Sequence, residues 1–116
     1  MSMDKFKQWL EQNGFNLHPY RLKPLGNIYD WLAAKKLSDV AKCETNGYPQ
    51  IVVKPYGYLV TTDIQHESVE IEITGERNKL WFCLKAYSVK PQEALQRWPE
   101  IERSLIAAWQ AIGESE

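Results

Sequence analysis

The run SVEIEIT (68–74), GERN (75–78) and KLWFCLKAY (79–87) decides the fold. Two segments with an apolar residue at every second position flank a short loop containing glycine, which is the pattern of a β-hairpin. With GERN as the loop, Thr74 faces Lys79. The pairs Ile73–Leu80, Ile71–Phe82 and Val69–Leu84 then share one face. The other face takes Glu72–Trp81, Glu70–Cys83, Ser68–Lys85 and His66–Tyr87. A slip of one residue would set glutamate against phenylalanine and mix the faces, so the apolar pattern specifies the register. The six residues of the first face, Val69, Ile71, Ile73, Leu80, Phe82 and Leu84, are the predicted sheet core.

The second face combines aromatic and charged side chains: Glu70, Glu72, Trp81, Cys83, Lys85 and Tyr87. Alternating glutamates on a strand ordinarily form a solvated face. Aromatic residues inside a charged frame are also the composition of protein interfaces, where Trp and Tyr carry most of the binding energy. The candidate partner-binding residues are therefore Glu70, Glu72, Trp81, Lys85 and Tyr87, with Trp81 and Tyr87 as anchors.

A helix follows the hairpin. Pro91 suits a first helical position, for a turn or two through Arg97. Pro99 demands a new start at Trp98-Pro99. Beyond it Ile101, Leu105, Ala108, Trp109 and Ile112 make one apolar stripe ending at Gly113.

Upstream, Phe6, Trp9 and Leu10 lie at i, i+3 and i+4 and predict a helix over 3–13, stopped by Gly14. The segment FNLHPYRLKPLG (15–26) reads as an irregular connection, because Pro19, Pro24 and Gly26 interrupt it. Ile28, Trp31 and Leu32 repeat the helical spacing and predict a second helix starting near Asn27. Residues 38–46 read as strand or helix alike, and Asn46-Gly47 is a hairpin signal if a strand precedes it. QIVV (50–53) predicts a strand, KPYG (54–57) its turn, and GYLVTTDI (57–64) the return strand. The expected fold is a single α+β domain over 1–116. It is an antiparallel meander of four to five strands, with N-terminal helices and a C-terminal helix packed on the sheet.

Composition fits one globular domain: 116 residues, 44% hydrophobic, 25% charged and a net charge of −1. Near-neutrality argues against a nucleic-acid footprint, which would need a basic face. The charge is polarised along the chain. Residues 1–58 hold 8 Lys and Arg against 5 Asp and Glu, and residues 59–116 hold 6 against 10. Cys43 and Cys83 are too few for a disulfide framework and read as free thiols of a reducing compartment. The charged start MSMDKFKQWLEQ lacks the apolar run of a secretory signal, and no stretch approaches the ~20 apolar residues of a membrane span. The expectation is a cytoplasmic protein that engages no membrane.

Chemistry is hard to find. His18 and His66 have no partner at metal-ligand spacing, and the two cysteines belong to no CxxC pattern. Glu70 and Glu72, about 7 Å apart on one strand, could serve as paired carboxylates, but the same spacing marks an ordinary solvated face. No glycine-rich phosphate loop occurs. The reading is a non-enzymatic protein with no metal and no cofactor.

Through SVEIEITGE, KLWFCLKAYSV and SLIAAWQAI, segment 68–112 resembles small immunity proteins of bacterial polymorphic toxin systems, including those of contact-dependent growth inhibition. Their members include α+β domains in which such a hairpin precedes a helix ending in an Ala-Trp-like pattern. Residues 1–45 carry no such likeness. The resemblance implies binding and blocking of a cognate toxin domain, without catalysis. The chain departs from the pattern in one respect. Immunity proteins against nucleases are often strongly acidic, and this one is nearly neutral. That points either to a toxin of another kind or to contact through the acidic second half. The alternative is a small regulatory or ligand-binding domain that dimerises through the free sheet face.

Overall fold

The computed structural model describes residues 3–19, 31–38, 48–56, 68–77 and 80–114. Along the chain run α1 (Met3–Gln12), β1 (Asn16–Pro19), β2 (Trp31–Lys36), β3 (Gln50–Tyr56), β4 (Ser68–Arg77), β5 (Leu80–Val89), α2 (Pro91–Gln96) and α3 (Trp98–Glu114). The strands form one antiparallel sheet in the order β1-β2-β3-β4-β5. The fold is α+β, a meander with N- and C-terminal helices, as the sequence predicts.

The first helix ends as expected. Gly14 adopts φ 89°, a left-handed conformation that only glycine takes without steric cost. The Phe15 N–H donates to the Leu10 carbonyl at 3.0 Å and the Gly14 N–H to that of Glu11 at 3.3 Å. This 6→1 and 5→2 pair is a Schellman stop. It turns Phe15 straight into the core.

The helix expected from Asn27 is corrected: Trp31–Lys36 is strand β2, paired with β1 and β3. Leu, Ala and Lys favour helices, but context overrides that preference here. Trp31 and Ala33 alternate inward on the core face, with Ala33 between Leu17 of β1 and Val53 of β3. The irregular reading of 15–26 is corrected in part, because Asn16–Pro19 forms the short edge strand β1. The KPYG turn is also corrected, since Lys54, Pro55 and Tyr56 continue β3. Pro55 lies across from Val69, beyond Val53, the last β3 residue paired with β2, so its missing N–H interrupts no β2–β3 bond. The strand expected at 57–64, the ambiguous 39–46 and the Asn46-Gly47 turn lie outside the described residues.

The hairpin register is corrected too. The two strands reach further than predicted, to Arg77 and Leu80, so only Asn78 and Lys79 connect them. Phe82 pairs with Gly75, Trp81 with Glu76 and Cys83 with Thr74. Relative to the expected pairing, β5 has slid by four residues, an even number, so Leu80, Phe82 and Leu84 keep their predicted side. A β-bulge between Ile73 and Thr74 then sets Lys85 opposite Ile73 and leaves Leu84 as the extra residue. Beyond it the alternation of β5 is inverted: Tyr87 faces Ile71 and Val89 faces Val69.

One face of the sheet and the three described helices enclose the core. Val69, Ile71 and Ile73 are fully buried, as predicted. They lie with Ile51, Val53, Phe6, Leu10, Ile101, Leu105 and Trp109. Each such side chain contributes roughly 1.5–3 kcal/mol through burial. Of the α3 stripe, Ile101, Leu105 and Trp109 are completely inaccessible. α1 rests on β1 and α2, while α3 rests on β4 and β5. α2 and α3 break at Arg97, as Pro99 requires, and Arg97 staples the break through Glu93 at 3.2 Å and Glu100 at 3.0 Å.

Candidate functional site

The surplus of aromatics has a simple accounting. Trp31, Trp98 and Trp109 are buried, and Trp9 packs against the same cluster. Trp9 and Phe15 both meet Trp98 edge-on, with ring centroids 5.2 and 5.7 Å away. Only Trp81 of the five tryptophans is outside. It is 60% exposed, next to Leu80 at 61%.

This exposure follows from the register slide. Pairing between β3 and β4 ends at Gln50–Thr74, whereas the β4–β5 hairpin continues through Gly75–Phe82, Glu76–Trp81 and Arg77–Leu80. Past Thr74 the sheet thus narrows, among the described residues, to a two-stranded arm. Leu80 belongs to the core side by alternation, but it lies on this arm, beyond the end of the core. Trp81, its neighbour along the strand, points to the opposite side.

That opposite side, which carries no described helix, also holds Glu70 and Glu72 of β4 and Lys54 of β3. Lys54 lies across from Glu70, and its Nζ reaches Glu72 Oε1 at 3.7 Å. The Cys83 thiol donates to Glu72 Oε2 at 3.1 Å. Glu72 is nearly buried and serves two partners at once. Burial holds the Glu70 carboxyl above its ordinary range, and a hydrogen bond with Glu72 adds to the effect. The Cys83 residue is exposed overall, yet partial burial pushes its thiol up to about 11, reinforced by the bond to Glu72 and the neighbouring negative charge. A thiol raised in this way is a poor nucleophile. Thr74, across from Cys83, is buried and its Oγ1 has no hydrogen-bond partner.

The bulge divides the predicted site. Glu70, Glu72 and Trp81 share one face, as expected. Tyr87 does not join them: it lies across from Ile71 on the core side, and its hydroxyl donates to Ser104 Oγ of α3 at 2.8 Å. This bond ties the strand to the helix. Lys85 sits across from Ile73 rather than Ser68; the structure does not describe its side chain. Leu80, predicted as core, is instead part of the exposed arm. His66 and Cys43 lie outside the described residues. Among the described residues no group of three His, Cys, Asp or Glu side chains could hold a metal, and no helix is long and apolar enough to cross a membrane. Comparison with protein-family models, with curated proteins and with solved structures found no match to this chain.

Proposed function

We propose that the chain is a non-enzymatic binding protein. In its most specific form it is a bacterial immunity protein that neutralises a cognate toxin domain in the cytoplasm. The observation that carries the reading is Trp81. It is the one tryptophan outside the core, set on a projecting arm beside Leu80 and across from Glu76. A rigid, exposed aromatic body suits the centre of a protein interface. The chemistry of the cluster supports binding over catalysis, because Cys83 is held protonated and Glu72 is already engaged by Lys54 and the thiol. The resemblance of segment 68–112 to immunity proteins supports a toxin domain as the partner.

The test is co-expression with a toxin domain encoded by a neighbouring gene. Wild type is expected to restore growth of cells producing that domain and to form a stoichiometric complex with it. Failure of a well-expressed wild-type protein to protect, or the lack of any neighbouring toxin-bearing gene, would remove the immunity form of the reading.

A further inference from the structure

We draw no further inference here: the strongest candidate, the apolar surface that Leu80 and Trp81 expose on the two sides of the β4–β5 arm beyond Thr74, belongs in part to the site already described, and nothing in the structure shows what covers it.

Discussion

At the residue scale, Glu72 organises the helix-free face, and its neighbours report on it. Cys83 is exposed, yet its thiol is raised from 9.0 to about 11. At pH 8 it should therefore alkylate ~100-fold more slowly than an unperturbed thiol, following its smaller thiolate fraction. Glu72→Gln removes the charge beside the sulfur and should speed labelling several-fold. Equal rates in the two proteins would refute the coupling. Glu70 gives a second reading of the same cluster. Its carboxyl titrates above the ordinary 4.5 because of burial and the bond to Glu72. Folding therefore favours the protonated form. The stability this group contributes is full below pH 4.5 and is lost as pH rises through the raised value. Glu70→Gln should remove that pH-dependent component from thermal melts; a pH profile parallel to wild type would contradict the assignment. Thr74 carries a buried hydroxyl with no hydrogen-bond partner. Thr74→Val should be neutral or raise stability by about 1 kcal/mol in urea unfolding.

At the element scale, the β4–β5 hairpin separates what was legible in the sequence from what was not. The alternation in SVEIEIT identified Val69, Ile71 and Ile73 as the core face of β4, although Glu72 and Thr74 of the opposite face are buried too. The pairing partner was not legible. GERN contains a glycine and three polar residues, as a loop would, yet Gly75, Glu76 and Arg77 are paired. A bulge costs one extra residue and leaves no mark on the apolar pattern before it. That single residue, Leu84, moved Tyr87 from the expected binding face to the core side, where it ties β5 to α3 through Ser104. Tyr87→Phe should lower stability by ~1 kcal/mol and leave partner binding unchanged; loss of binding without loss of stability would restore Tyr87 to the site. β2 was misread for a different reason. WLAAKK has helical composition, and only its neighbours β1 and β3 make it a strand.

At the scale of the whole molecule, the described helices lie on one face of the sheet, and the other face carries the charged cluster and Trp81, with Val52, Glu72 and Thr74 buried there. Core stability and the proposed binding by Trp81 fall on different residues and can be separated by mutation. Trp109 lies wholly inside the core, so Trp109→Ala should cost about 3–5 kcal/mol of stability. Trp81→Ala should leave the melting temperature within a degree or two, since little of that side chain is buried. Under the proposed function its effect belongs to recognition. Under the proposed immunity function, the most direct test is calorimetric titration of the toxin domain with wild type and with Trp81→Ala. A loss of about 2 kcal/mol, ~30-fold in affinity, at unchanged melting temperature is the expected result. Equal affinities for the two proteins would contradict the central claim that Trp81 is the partner anchor.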